Sequence, residues 1–375
     1  MDKKSIKNHI KSIEFSAANL PTFEEVINNK EFVYWGSDNL WPQHSIDLYN
    51  YSSILRAALN SIRDGVIGKD MLVNGEPANL VLANSTESVY DIYKKIVVDS
   101  VIHNGFSLNT VKRKDGEGIA EFYHMDISKI RSGKVDIQDR VKSYYYCPDW
   151  SNTRKYTPVE LPAFNLMDEE PSQVYFYKTY QPAQFYYPVN EWISARMAAE
   201  IDVEIKNYHL NNLRNGYHSG VVFSMNNGVP GEEERSAIYR HLEDRYTSTN
   251  NSGALIVTFS DDKEHEPTIT PFANNATPDM FIQLNDMVNQ TILSSNRISN
   301  PALLGIQTAG QLGNKDQYKE GYEHFLETVV IPIQEKLIRE LEKILFFQTK
   351  EYKKIEIIQN ELFADEDKPV TDNIL

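Results

Sequence analysis

The sequence predicts an α+β fold in which long helices accompany a region of short strands. Apolar residues recur at three- and four-residue intervals in several segments long enough for helices, at 45–63, 88–104, 189–215, 278–299 and 315–347. Residues 106–179 instead show short apolar runs separated by proline and turn residues, as strands do. A strand, a helix and a second strand predicted over 220–259 add a small unit of their own.

The N-terminal region predicts a strand and then one long helix. The aromatic run 32–35 favours a strand, and Pro42 suits the first turn of a helix. The apolar periodicity then predicts a continuous helix from Ser45 to Arg63. We expect Gly65 and Gly68 to end this helix, because glycine is the usual residue just beyond a helix C-terminus.

Two hairpins and a second helix are expected next. Asn74-Gly75 is the preferred pair for a two-residue hairpin turn. The segment from Ser88 to Asn104 has helical periodicity, with Gly105 at its end. Residues 114–118 predict a turn between two strands, and 144–146 and 174–177 predict strand cores.

The helix predicted over 278–299 has a polar face with very little charge. We expect Leu284, Met287 and Val288 to lie on its apolar face. Exposed helix faces usually contain Glu and Lys, because long charged side chains interact well with water and with each other. Here the charged residues are only Asp279, Asp286 and Arg297. We therefore expect something other than bulk water to face this helix.

A Gly-rich loop over 300–314 precedes the last long helix, which is predicted from Lys315 to Phe347. Gly305 and Gly310 have the spacing of a phosphate-binding loop, but Gln311-Leu312 replaces the Lys-Ser/Thr pair that such a loop needs. Nucleotide binding is therefore not expected. Pro332 lies inside the long helix and predicts a kink, because proline has no amide hydrogen to donate.

Charge and cysteine content exclude several classes of protein. The chain has 53 acidic and 38 basic residues, for a formal charge of −15, which disfavours a protein that clamps nucleic acid by counterion release. Its one cysteine, Cys147, forms no internal disulfide and no thiol-based zinc site. No segment has the pattern of a signal peptide or the length of a membrane span.

The sequence contains no recognisable catalytic constellation, so no catalytic residue, metal site or cofactor is expected. The 9 histidines are scattered, without the helical spacing of metal ligands, and no nucleophile-elbow motif occurs. The 22 tyrosines and abundant acids leave open a soluble carbohydrate-active enzyme as an alternative. A non-enzymatic role is the preferred interpretation.

Several motifs occur in a definite order along the chain. They are Asn39-Leu40-Trp41-Pro42 and Tyr186-Tyr187-Pro188, each before a helix, then 298–305, and Val330-Ile331-Pro332 in the last helix. In this order they resemble the portal proteins of tailed bacteriophages, the HK97-like and SPP1-type portals. The first looks like the family's Asn-x-Tyr-Pro motif, the second its Tyr-Gly-x-Pro motif with Tyr187 replacing glycine, and the third its Val-Pro-x-x-Leu-Gly segment.

The resemblance implies a portal fold with a mixed α/β wing, a two-helix stem, a small α/β clip and a long kinked helix, assembled as a ring. By the resemblance, residues 1–188 form the N-terminal region of the wing. They are followed by a stem helix 189–215, a clip 216–273, a second stem helix 274–299, a tunnel loop 300–314, a long wing helix 315–350 and a short acidic crown or tail 351–375.

The resemblance also implies a function and a set of partners. A portal forms a dodecameric ring at one capsid vertex, through which double-stranded DNA is packaged and ejected without sequence-specific binding. It nucleates procapsid assembly with the major capsid and scaffolding proteins, and it binds the terminase large subunit and head-completion or adaptor proteins. The expected location is the virion, with host cytoplasm during assembly, and no membrane partner is implied.

Two groups of residues are the candidate sites under this interpretation. The DNA-channel candidates are Gln283, Asn289, Gln290, Gln307, Thr308, Gln311 and Asn314. The candidates for terminase or adaptor docking are Glu232, Glu233 and Glu234. The polar face of 278–299 is equally consistent with packing against a neighbouring subunit, and another kind of ring-forming structural protein is a further alternative.

Overall fold

The computed structural model describes residues 22–214, 220–225, 230–246, 254–259, 278–299, 301 and 315–360. The helices are α1 Trp41–Tyr51, α2 Ser53–Ile67, α3 Val89–His103, α4 Arg196–Arg214, α5 Glu232–Tyr246, α6 Pro278–Ser295, α7 Lys315–Phe325 and α8 Ile331–Thr349. Helices and mainly antiparallel sheets occupy different regions of the chain, which confirms the predicted α+β class. Among these helices none combines the length and apolar character needed to span a membrane.

The strands form small sheets. They are β1 Glu25–Val26, β2 Tyr34–Trp35, β3 Asp70–Val73, β4 Glu76–Pro77, β5 Gly105–Lys112, β6 Ile119–Met125, β7 Ile130–Ser132, β8 Ser143–Tyr146, β9 Val159–Pro162, β10 Ser172–Lys178, β11 Gly220–Met225, β12 Ala254–Phe259 and β13 Ile355–Ile358. The orders are β10–β5–β6, β7–β8–β9, β13–β3–β4 and the pairs β1–β2 and β11–β12. Only β11–β12 is parallel in this set of strands, as the crossover through α5 requires.

The main core lies where α2, α3 and α8 meet the β10–β5–β6 sheet. Leu55, Ile92, Phe106 and Leu341 represent these elements and are fully buried. Helix α3 begins with a complete capping box, in which Ser88 and Asp91 satisfy each other's backbone amides. The predicted helix at 88–104 is confirmed as α3. The two predicted hairpins are confirmed as β3–β4 and β5–β6, and the predicted strand cores lie in β8 and β10.

The prediction of one continuous helix over 45–63 is wrong, because the helix is interrupted at Ser52. Ser52 has extended backbone angles, its Oγ accepts a hydrogen bond from the Leu55 amide at 3.3 Å, and it donates to Asp202 Oδ2 at 2.8 Å. The serine side chain thus caps a new helix and ties it to α4. Apolar spacing continues across the break, so periodicity alone does not reveal it.

Gly65 does not end α2 as predicted, whereas Gly68 does. Gly68 has φ of 69° at the C-cap. Gly65 lies within the helix, and a Cβ there would approach Val330 Cγ2 to 2.8 Å. The glycine at 65 therefore allows close packing between α2 and the long C-terminal helix.

The long C-terminal helix is interrupted by a π-helical segment, Leu326–Val330, where the Ile331 amide donates to Leu326 O. Pro332 lies in the first turn of α8, at the predicted discontinuity. Because proline cannot donate the helical bond to Thr328 O, that carbonyl is open to another donor. Arg297 Nη1, just beyond α6, donates to it at 3.2 Å.

Residues 351–360 return to the sheet that contains β3 and β4, which the sequence did not predict. β13 pairs antiparallel with β3, from Ile355 opposite Val73 to Ile358 opposite Asp70. Helix α4 also begins later than predicted, at Arg196. The acidic stretch 365–367 lies outside the described residues.

Candidate functional site

Helices α4 and α6 form an antiparallel pair that leaves the core together. Tyr208, near the end of α4, stacks on Phe281, near the start of α6, with ring centroids 5.4 Å apart. At the other end of the pair, Ala199 of α4 and Val288 and Ile292 of α6 are fully buried in the main core. One face of the pair is thus fixed to the body, and the opposite face is left for other contacts.

The exposed face of α6 contains two of the predicted channel residues. Gln283 and Gln290 are exposed, and Asn289 is half-buried. From 282 to 294 the only charged residue is Asp286, which is also exposed. The helix therefore exposes amide side chains with almost no charge, as its sequence indicated.

Met287 is not on the apolar face, and its predicted position there is wrong. The spacing of Gln283, Met287, Gln290 and Ser294 forms one stripe along the helix, and Met287 is 54% exposed. The next residue, Val288, is buried in the core. Each residue turns the helix by about 100°, so these two neighbours lie on different faces. The stripe, named here the α6 stripe, combines amide and hydroxyl groups with one exposed thioether.

The other predicted channel residues cannot be placed. Gln307, Thr308, Gln311 and Asn314 lie outside the described residues. The residues just before their segment are described: Ile298 is buried, and Arg297 has a left-handed φ of 56° and contacts the π-helical segment. The chain is therefore fixed as far as Ile298.

Helix α5 exposes the three predicted docking residues. Glu232, Glu233 and Glu234 form its first turn and are exposed. Carboxylates at a helix N-terminus interact favourably with the helix dipole, by about 0.3–1 kcal/mol each. These residues thus have a local stabilising role, which any test of docking must separate from recognition.

Aromatic residues join β2 to the segment that leads into α4. Tyr187 stacks on Trp35 with ring centroids 4.5 Å apart and an interplanar angle of 9°. Its hydroxyl donates to Val33 O and accepts from the Ser132 amide at 2.9 Å, and burial raises the pKa of Tyr187. Tyr187 therefore fills the junction between β2, β7 and the segment that leads into α4.

Arg131 is a fully buried cation that sequence reasoning did not identify. Its Nε donates to Asn39 Oδ1 at 2.7 Å and its Nη2 to Asn39 O at 2.6 Å, while Nη1 donates to the carbonyls of Ser128 and Ile130. Its guanidinium also lies 4.7 Å from the centre of the Trp150 ring. Burial lowers the pKa of Arg131 to about 10, so it stays charged at neutral pH.

A second polar group in the interior is centred on Asp99. His124 Nε2 is 2.9 Å from Asp99 Oδ2, which also accepts the Ile127 amide, and burial raises the pKa of Asp99. His103 is buried, which lowers its pKa to about 4 and keeps it neutral at pH 7. Within the described ranges, no cluster of three or more His, Cys, Asp or Glu is arranged to hold a metal.

The two described cavities give no support to carbohydrate chemistry. One has about 40 Å³ and contains Glu191, whose carboxylate is 3.9 Å from Lys336 Nζ. The other is an open groove of about 320 Å³ beside Phe32 and Tyr145, with Glu31 as its one acid. Glycoside cleavage normally requires two facing carboxylates, which neither of these cavities supplies.

Comparison with known proteins identifies the fold. No family model and no curated protein matches this chain. A chain in the virion of a native gene transfer agent particle is similar at TM-score 0.54 and 13% identity, over 85% of this chain and 84% of that one. A chain in the neck of the native particle, computed with C12 symmetry, gives 0.53 and 13%, over 84% of each.

A crystal structure of an HK97-family phage portal protein from Corynebacterium diphtheriae also matches, at TM-score 0.43 and 11% identity, over 83% of this chain and 93% of that one. That score is too low to add to the assignment. The particle chains alone establish the shared fold, and they do so across most of this chain. The resemblance stated from the sequence is thereby confirmed at the level of the fold.

Proposed function

We propose that this chain is the subunit of a portal ring, the conduit through which double-stranded DNA enters and leaves a virus-like particle. The main support is the fold shared with a chain in a particle neck that was computed with C12 symmetry. A dodecamer at one capsid vertex of the virion, assembled in the host cytoplasm with capsid and scaffolding proteins, follows from this proposal. So does docking of a terminase large subunit and of head-completion proteins.

The proposal divides the chain at the boundaries that the resemblance to portals implies. Helices α4 and α6 would form the stem, and the β11–α5–β12 unit would form the clip. The antiparallel packing of Tyr208 on Phe281 supports the stem assignment, because it extends the pair beyond the buried core. Segment 300–314 would be the tunnel loop.

The charge of the α6 stripe is consistent with a conduit. Every phosphate that a protein neutralises adds to its affinity for DNA, and it steepens the decrease of log affinity with log salt concentration by about 0.9. A lysine-rich wall would therefore bind DNA and slow its passage. Gln283, Gln290 and Ser294 offer only neutral groups. The net charge of −15 likewise disfavours tight binding of DNA.

Negative-stain electron microscopy of the purified chain tests the proposal. We expect rings with a central hole, twelvefold in the simplest case, once the protein is concentrated. A chain that stays a compact monomer over a wide range of concentration and salt would contradict the proposal. Rings that do not bind a terminase large subunit would favour another ring-forming structural protein.

Lysine substitutions on α6 should distinguish a channel wall from a subunit contact. We expect Q283K and N289K to leave rings intact and to slow DNA packaging several-fold at low salt, with recovery as salt rises, because each subunit adds a phosphate-binding charge. Packaging rate is measured at several salt concentrations, with Asn29→Lys, an exposed wing position, as control. Loss of rings would instead indicate that this face packs against a neighbour.

Charge reversal on α5 tests the docking surface. We expect E232K/E233K/E234K to weaken capture of a terminase large subunit by roughly tenfold, through lost electrostatic complementarity. The triple Gln variant is the control, because it removes the same helix-dipole interactions without adding positive charge. Circular dichroism checks that α5 remains folded. Equal capture by wild type and both variants would remove these residues from the docking surface.

A further inference from the structure

The first described residues of the chain, 22–26, cross the joint between wing and α4. This segment is named here the strap. Glu24 O accepts the Gly36 amide at 2.9 Å, and the strap pairs with β2 through Glu25 opposite Trp35. Phe23 packs its edge on Trp41, with centroids 5.1 Å apart. These few contacts keep the strap against the aromatic residues of the joint.

One carboxylate on the strap accepts three consecutive backbone amides. Glu25 Oε2 accepts from Phe185 at 2.9 Å, and Oε1 accepts from Tyr186 at 2.7 Å and Tyr187 at 2.8 Å. Successive amides that point at one anion form a nest, and hydrogen bonds to a charged acceptor are about twice as strong as neutral ones. A single side chain therefore satisfies a whole segment of backbone.

Lys178 stabilises the turn that precedes these three amides. Lys178 Nζ donates to Gln184 O at 3.2 Å, at the turn where Ala183 has φ of 64°. Burial lowers the pKa of Lys178, and the nearby Glu25 carboxylate opposes that shift. The carboxylate thus lies in a locally positive environment made by three amides and one ammonium group.

The position of these amides gives the contact its importance. Residues 185–187 follow β10 and precede α4, so they are the backbone through which the wing sheet connects to the stem helix. Fixing one residue's backbone costs roughly 1–2 kcal/mol of conformational entropy. Glu25 contributes to that ordering from a strap that is attached through the β1–β2 pair, the backbone hydrogen bonds from Gly36 and Ser37, and the packing of Phe23 on Trp41.

We propose that Glu25 is a latch that holds the connection between wing and α4. With the carboxylate seated, residues 185–187 keep the geometry described above. When the strap lifts, all three amides lose their acceptor together, and the connection is released while the β10–β5–β6 sheet stays folded. The latch is a property of this fold and does not depend on the proposed function.

Hydrogen exchange of the full-length chain tests the latch. We expect the amides of 185–187 to exchange roughly tenfold faster in E25Q than in wild type, because a neutral side chain with one acceptor oxygen replaces the carboxylate. E24Q is the matched control, since it removes the same charge at the neighbouring, exposed position. Amides of β5 should be unaffected in both variants.

Unchanged exchange at 185–187 in E25Q, or acceleration of similar size throughout the wing, would overturn the latch. A second variant covers the case in which E25Q does not fold. F23A weakens the attachment of the strap to Trp41 and leaves the carboxylate in place. We expect F23A to accelerate exchange of the same three amides. If the strap's own amides exchange faster in F23A while 185–187 stay protected, the strap does not control the joint.

Discussion

Arg131→Ala is expected to lower the free energy of unfolding by about 4 kcal/mol, since buried acceptors that lose their donor cost about 1–3 kcal/mol each. The guanidinium donates to both oxygens of Asn39 and to the carbonyls of Ser128 and Ile130. Asn39 Oδ1 and Ser128 O each keep a second donor, the Trp35 amide and Gln43 Nε2, so the loss falls mainly on Asn39 O and Ile130 O. Truncation also leaves a cavity beside Trp150, whose ring the guanidinium covers.

Denaturant unfolding of Arg131 variants measures this effect under conditions that keep the chain monomeric. Arg131→Met separates its causes, because it fills much of the cavity and restores no donor. Arg140→Ala is the control, since Arg140 is an exposed arginine that pairs with Asp136 near the surface. We expect its effect to stay within about 0.5 kcal/mol. A loss below about 1 kcal/mol for Arg131→Ala would show that water satisfies the abandoned acceptors.

Gly118→Ala is expected to lower the free energy of unfolding by about 3 kcal/mol, more than the corresponding substitution of Gly116 in the same β5–β6 turn. Gly118 has φ of 107°, and a Cβ there would come within 2.3 Å of Phe347 O at the end of α8. The contact is with a backbone oxygen, so no side chain can rotate away. Either the turn or the last turn of α8 must move.

Gly116→Ala is the matched control for this substitution. Gly116 also has a positive φ, 75°, but a Cβ there would meet nothing within 4 Å. We therefore expect Gly116→Ala to lower the free energy of unfolding by about 1 kcal/mol, which is the cost of placing alanine at a positive φ. The difference between the two melting temperatures isolates the contact between turn and helix. Equal melting temperatures would mean that the turn shifts without loss.

Local patterns predicted most of the elements, because the relevant interactions are close in sequence. The capped helix α3, the Asn74-Gly75 hairpin and the β11–α5–β12 unit follow from periodicity and turn residues. The break at Ser52 was not predictable in this way, since its cause includes Asp202. β13 was missed for a similar reason, because it pairs with β3 from the far end of the chain.

The candidate sites show the same limit. The exposed, uncharged side chains of Gln283 and Gln290 were predictable from composition along one helix. Arg131 and Glu25 gave no signal, because each is an ordinary charged residue until Asn39 or residues 185–187 are brought against it. Met287 was misplaced because a sulfur side chain counts as apolar in any pattern, whatever face it occupies.

The π-helical segment at Leu326–Val330 also affects how this region compares with other sequences. Such a segment is what a helix forms when it accommodates one residue more than the regular repeat allows. It shifts the phase of α7 relative to α8 by about 100°, so a helical wheel drawn through both assigns the wrong side to one of them. Relatives that lack the extra residue should show a one-position gap here, and an alignment without that gap would be out of register across all of α7.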